Sequence, residues 1–318
     1  MLYDNQATEL NIIDLDQLKL QEKVKFEKEG PNGTGAFVTW MSYLDAERLL
    51  MANYDEMAIF DLKGNKLKGH SLTKGEFEGD RLSEGVSFQQ WSIVAENGDA
   101  VYGLMSNWQN ENEFFYKVDF KNNLIKRIEL PGREMLPDYM VAFKSDDMYA
   151  ILPALKTVRR INNHLIISHS GYANLFVVDM ATDSAYQVDY TPKLTAKAKK
   201  GGYPAEVDSE KRFREVMEQI FAEINFQAPI WDAKNKRYYR FSFETTPTGN
   251  TDGPLFQSAE SRKISKVFLS IFDDKLNLIG ETSTDLKHAP AHAFVKEGQI
   301  WSYVNVGDEL GFVRLKMD

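Results

Sequence analysis

The feature that most constrains this chain is a repeat. Five segments share one pattern: alternating apolar residues, an aspartate, a short polar turn, then a second alternating run. They run from Leu10 to Leu20, Met57 to Leu67, Phe115 to Ile125, Leu175 to Ala185 and Leu269 to Ile279, with Asp14, Asp61, Asp119, Asp179 and Asp273 at the same point in each. Val, Ile, Phe and Tyr before each aspartate suit strands, and Gly, Asn, Asp and Lys after it suit tight turns. Each copy therefore reads as a β-hairpin. A carboxylate at a strand end can accept hydrogen bonds from turn N–H groups, so the recurring aspartate reads as a turn residue. As metal ligands, the five would lie in separate repeats, far apart.

Further strand-like runs precede the hairpins, such as Ala36 to Met41 and Arg48 to Met51 ahead of Asp61, and Ser87 to Ser92 and Ala100 to Leu104 ahead of Asp119. The unit is four strands, A to D, with the aspartate ending C. Four-stranded units in series read as a propeller. The aspartates are 47, 58, 60 and 94 residues apart, and the 45 residues after Asp273 hold one more unit, without its D strand. The expectation is an all-β fold: a six-bladed β-propeller of four-stranded antiparallel blades, one domain over residues 1–318. A helical insertion is expected at about 191–226, where Asp208 or Ser209 caps an apolar stripe of Phe213, Val216, Met217, Ile220, Phe221 and Ile224. That stripe reads as packed on the propeller rim. The first unit begins near the end of B, so residues upstream of Met1 are expected to complete the terminal blade. The pattern does not thread Lys144 to Asn163.

In such a fold D→A and B→C links leave one face, and A→B and C→D links the other. The long links are Leu72 to Val86, Ser106 to Asn112, Thr191 to Phe226 and Thr245 to Ser261, all in the first class. Function is grafted onto loops, so the binding face is expected where these insertions fall.

Composition narrows the chemistry. The chain has no cysteine, which excludes disulfides, thiolate metal sites and a thiol nucleophile. With 38 Lys+Arg against 47 Asp+Glu, its net charge of −9 argues against nucleic acid as a partner. No apolar run is long enough for a transmembrane segment. The start lacks the basic and apolar regions of a signal peptide.

Candidate site residues follow from position. Trp108 and Tyr172 fall in B→C links and Tyr203 in the longest D→A link, where aromatic rings can meet a ligand. His288 and His292 are the histidine pair at metal-like spacing, but Pro290 keeps them off a common helix face and no third ligand is evident. No cofactor is expected, with a divalent metal at that pair as the one alternative. His164 and His169, five apart on a strand, lie on opposite faces and form no site together. Trp40, Trp91 and Trp231 read as packed between blades, with a channel-facing ligand role as the alternative. Lys193, Lys197, Lys199 and Lys200 read as a solvated linker, or as a docking patch for an acidic ligand. Gly30 to Gly35 is glycine-rich but lacks the Lys-Ser/Thr ending of a P-loop, and reads as a plain turn.

The run Glu29-Gly30-Pro31-Asn32-Gly33-Thr34-Gly35 after a C–D hairpin, with Lys236-Arg237-Tyr238-Tyr239-Arg240-Phe241-Ser242 late in the chain, resembles a bacterial family of TolB-like six-bladed β-propeller lipoproteins, a domain of unknown function. The resemblance spans essentially the whole chain. It implies a mature fragment of a cell-envelope protein, periplasmic or anchored at the outer membrane, although the lipobox cysteine is not in this sequence. It supplies no catalytic residues. The expected function is a non-enzymatic propeller binding a protein, peptide or glycan on the insertion-bearing face. The rival is a metal-dependent hydrolase or lyase with its site near His288 and His292. Oligomeric state is left open.

Overall fold

The computed structural model describes residues 1–318 except 54–55, 73–74, 83, 108–112, 146–147, 247–264, 307–308 and 316–318, and gives only the backbone of 89–95, 305–306 and 309–310. The chain divides into two compact units, Met1–Glu129 and Leu130–Asp318. The fold is all-β, with one α-helix among the described residues.

The first unit holds three sheets. β1 (Leu2–Asp4), β2 (Glu9–Asp14) and β3 (Lys19–Lys25) form the first, and β4 (Trp40–Tyr43), β5 (Arg48–Ala52), β6 (Glu56–Asp61) and β7 (Lys66–Ser71) the second. The third comprises β8 (Glu78–Gly79), β9 (Ser87–Glu96), β10 (Ala100–Ser106), β11 (Phe114–Asp119) and β12 (Leu124–Ile128). The sheets stack face to face. Leu10 and Val24 of the first, with Phe26 just after β3, meet Leu49, Met51 and Phe60 of the second. Trp40, Leu50 and Ile59 of the second meet Val101, Met105 and Val118 of the third. Strands covered on both faces read as near-continuous apolar runs, which is why Met57 to Phe60 is buried throughout. The inter-sheet packing expected of Trp40 is found; the Trp91 side chain lies outside the described residues.

The second unit holds four. A 3-10 turn, Arg133–Met135, leads into β13 (Met140–Lys144) and β14 (Tyr149–Pro153). Next come β15 (Lys156–Ile161), β16 (His164–His169), β17 (Leu175–Asp179) and β18 (Ser184–Val188) in one antiparallel sheet. After β19 (Glu206–Val207), α1 (Glu210–Ala222) precedes β20 (Asn225–Phe226), β21 (Ile230–Asp232), β22 (Arg237–Thr245), β23 (Ser265–Phe272) and β24 (Leu278–Thr284). β25 (Phe294–Lys296), β26 (Gln299–Val306) and β27 (Glu309–Leu315) form the last sheet. β20 and β21 both pair with β22, a single edge interrupted at Pro229, which has no N–H to give the ladder.

All five hairpins read from the repeat are present and antiparallel. The aspartates act at the turns as expected. Asp61 Oδ1 accepts from the N–H groups of Lys63 and Asn65 at 2.9 and 2.8 Å, and Asp273 Oδ1 from those of Lys275 and Asn277 at 3.0 and 2.8 Å. Asp14, Asp119 and Asp179 do the same. The segment Gly30 to Gly35 is a turn, closed by Thr34 N–H to Glu27 O at 2.8 Å.

The structure differs from the reading in how many sheets there are and how many strands each holds. The described residues form seven sheets of three to five strands. The seventh holds β13, which ends where the unthreaded stretch begins, and β14, which lies inside it; the two form a hairpin without a C–D pair. β19 pairs in parallel with β13, and β8 in parallel with the outer edge of β12. Both come from long links that fold back and cover an edge otherwise left with unpaired backbone groups.

The helix forms where expected. Ser209 Oγ accepts from Arg212 N–H at 3.3 Å at its N-cap. Phe213, Val216 and Ile220 are fully buried against Val141, Phe143 and Ala150 of β13 and β14, so the stripe is core. No helix among the described residues is long and apolar enough to cross a membrane.

Candidate functional site in the second unit

At one end of the second unit's sheets, several links converge on Asp138. The chain reaches it after the 3-10 turn, just before β13. Asp138 Oδ1 accepts from His169 Nε2 at 3.0 Å, and Oδ2 from Arg133 at 2.6 Å and Lys156 Nζ at 2.9 Å. The sheet register brings these together: Lys156, first in β15, pairs with His169, last in β16. Ala154 N–H donates to Tyr139 O at 3.0 Å and fastens the β14–β15 link beside them.

The imidazole is fully engaged. Gly171 N–H donates to His169 Nδ1 at 2.8 Å, which leaves Nε2 as the protonated nitrogen facing Asp138. The ring is 2% exposed and stacks on Tyr172, with centroids 4.1 Å apart. A Cβ on Gly171 would come within 3.1 Å of Nδ1, so a larger residue here would push the ring by a few tenths of an ångström. Burial, outweighing the Asp138 hydrogen bond, pushes His169 down to about 4. Burial alone would raise the Asp138 carboxyl, but the His169 hydrogen bond and the Lys156 and Arg133 cations hold it well below the usual carboxylate range.

The link from Ser170 to Asn174 is gripped from two further sides. Lys199 N–H donates to Gly171 O and Ala173 N–H to Lys197 O, both at 2.8 Å. From β22, the Arg240 guanidinium reaches the carbonyls of Ala173, Gln227, His169 and Tyr172 and the Tyr190 hydroxyl. Arg240 is 1% exposed and lies over the Phe226 ring at 4.8 Å. These are neutral partners for a buried cation.

Lys199 corrects the reading of the basic run as solvated. Its ammonium is buried, bonded to Ile220 O at the C-terminal turn of α1 and to Asn225 Oδ1 at 2.9 Å. Burial, opposed by the Glu223 charge, lowers it to about 8. Lys197 pairs with Asp189, and Lys200 N–H bonds Glu223.

Of the residues singled out in the sequence, the structure brings Tyr172 and Tyr203 here. Tyr203 meets Tyr139 edge-on at 5.6 Å, and Tyr139 meets His169 edge-on at 6.4 Å. Burial and the neighbouring Glu223 carboxylate raise the Tyr203 phenol. Tyr172 is a buried ring rather than an exposed contact. Trp108 lies outside the described residues. His288 and His292 are exposed on the link before β25, with His292 stacked on Tyr303 at 5.3 Å. No group of three or more His, Asp or Glu among the described residues could hold a metal. His164 and His169 do lie apart, one exposed and one buried.

Sequence reasoning missed Asp138, Lys156, Arg133 and Arg240. The signal available was the end-of-strand position of His169, which places its ring beside the links. The cluster cannot perform nucleophilic chemistry as arranged. Ser170 Oγ accepts from Leu155 N–H at 3.0 Å and contacts Tyr139 Oη, and His169 has no free nitrogen to serve it as a base. Beside the partly exposed Asp138 and Arg133 it presents apolar side chains: Met135 is 81% and Leu155 69% exposed, each within two residues of a cation that grips Asp138.

A family described as "Domain of unknown function (DUF4221)" matches residues 1–283. The crystal structure of a DUF4221 member from Bacteroides vulgatus superposes with a TM-score of 0.64 at 14% identity, over 93% of this chain and 80% of that one. The likeness at that identity is one of fold. The Pan2 WD40 domain of Neurospora crassa gives 0.39 at 10% identity over 95% and 73% of the two chains. Dipeptidyl peptidase 4 of Porphyromonas gingivalis gives 0.39 at 11% over 82% and 35%. No curated protein matches.

Proposed function

From the premise that the chain belongs to the DUF4221 family, we propose that it is a non-enzymatic β-propeller of the cell envelope that binds a protein, peptide or glycan on the end of its sheets carrying the long links. The repeated antiparallel sheets, stacked face to face within each unit, support the propeller reading. On this reading the sheets of β1–β3, β4–β7, β8–β12, β15–β18, β20–β24 and β25–β27 correspond to the six repeats, the first and last with three strands, and the sheet of β13, β14 and β19 is additional. The cell-envelope placement rests on the family resemblance in sequence.

The observation that carries the binding reading is the Asp138 cluster. Links from four points in the second unit meet there around buried cations and stacked rings, beside exposed Met135 and Leu155. Rigid buried polar groups that fix loops next to exposed apolar side chains are what a recognition surface needs. The test is a screen of the full chain against glycan and peptide arrays, followed by affinity measurement with Met135→Glu combined with Leu155→Glu. Binding weakened at least ~10-fold by that pair supports the reading. Binding that survives it, but is lost on substituting the turn residues Asn65 or Asn122, overturns it.

A further inference from the structure

The Gly171 amide depends on one acceptor. The carbonyls of this link accept from Phe226 N–H, Lys199 N–H and the Arg240 guanidinium, but Gly171 N–H is bonded to the Nδ1 lone pair of His169. A proton on the imidazole occupies that lone pair. Two N–H groups would then face each other across 2.8 Å, beside a ring that is itself buried. Nε2 would meanwhile hold Asp138 more strongly, as a charge-assisted bond. The ring is thus kept in place while the amide is expelled.

We propose that His169 is a proton-operated latch on the Ser170–Asn174 link, closed while the imidazole is neutral and opened by its protonation to uncover Tyr172. Tyr172 is fully covered now, and its ring stacks on the imidazole itself. The latch goes beyond the binding reading, and only its use, a gate on an aromatic contact, rests on that reading.

The surroundings set how acid the trigger must be. Asp138 faces the ring from the segment before β13, Arg133 from the 3-10 turn and Lys156 from β15. Arg240 of β22 reaches the His169 carbonyl, Tyr139 meets the ring edge-on and Tyr172 lies on its face. Lys199 lies over Tyr139, which Tyr203 also abuts. Asp138 is the carboxylate that touches the ring and Glu223 stands farther off beside Lys199 and Tyr203, while burial and the Lys156 and Arg133 charges oppose a further positive charge on the imidazole. Burial is the largest cause of the displacement of His169 to about 4, so the latch stays closed at neutral pH and opens as the pH falls toward 4.

The experiment is hydrogen–deuterium exchange of the full chain between pH 7.5 and 4, read by mass spectrometry and corrected for intrinsic rates. Exchange at the imidazole C2 carbon reports protonation of His169, and backbone exchange reports the link. The expected result is a loss of protection of about 10-fold or more in residues 170–174, in the same pH interval as His169 protonation, with β16 and β17 still protected. His169→Asn, which retains an acceptor and cannot titrate, should lose this step. The proposal is overturned if His169 protonates with protection unchanged, or if the link opens only together with its flanking strands. It is also overturned if His169→Asn keeps the acid step. Should that variant not fold, the wild-type coincidence decides alone. No ligand enters the measurement, so its failure is separate from failure of the binding reading.

Discussion

The two ends of the sheets use the same side chain differently. At the hairpin turns, Asp61 and Asp273 accept from N–H groups two and four residues along the chain. At the opposite end of the second unit, Asp138 accepts from His169, 31 residues away, and from Lys156 and Arg133. The first kind of bond is local and repeats with the fold. The second exists only after separate strands and links have been brought together. The turn end is a set of independent closures; the Asp138 end is one connected network, and its losses should be larger and shared.

The largest loss is expected from Arg240→Met. It leaves up to four buried carbonyls and the Tyr190 hydroxyl without their donor, and should cost about 3–5 kcal/mol in chemical denaturation. A loss under about 1 kcal/mol would mean that the network is not cooperative.

Acid is the next lever. His169 is displaced to about 4 in the folded chain, against roughly 6.5 when unfolded. Between those values the unfolded chain binds the extra proton, so stability is full above about pH 6.5 and falls as pH drops toward 4. The bound on this loss is about 3 kcal/mol, and His169→Asn should flatten that part of the stability–pH curve.

How much was legible follows the same division. The hairpins, their aspartates, the helix with its Ser209 cap and the inter-sheet packing of Trp40 were all readable, because period and turn chemistry are properties of neighbouring residues. The β13–β14 hairpin escaped because it has no aspartate-ended C–D pair to match. Lys199 was misread because its neighbours are exposed lysines, while its own partners sit 21 and 26 residues onward. Asp138 looked like any loop aspartate. Nothing in the residues around it announces that His169 and Lys156 will be brought opposite it by register.

Smaller effects sharpen the contrast. Gly171→Ala places a methyl group 3.0 Å from the His169 ring, and should cost about 1–3 kcal/mol while raising the pH at which His169 protonates. Asp61→Ala removes three exposed turn bonds and should cost about 1 kcal/mol, with no change in the acid behaviour of the second unit. An acid response altered by Asp61→Ala would erase the distinction between local closures and network.

The account turns on the state of one ring. Two-bond proton–nitrogen correlation spectra of the full chain at pH 7, with His169 assigned by its absence in His169→Asn, read that state directly. The account predicts a neutral imidazole carrying its proton on Nε2, with Nδ1 as the bare acceptor. A proton on Nδ1, or on both nitrogens, would contradict it.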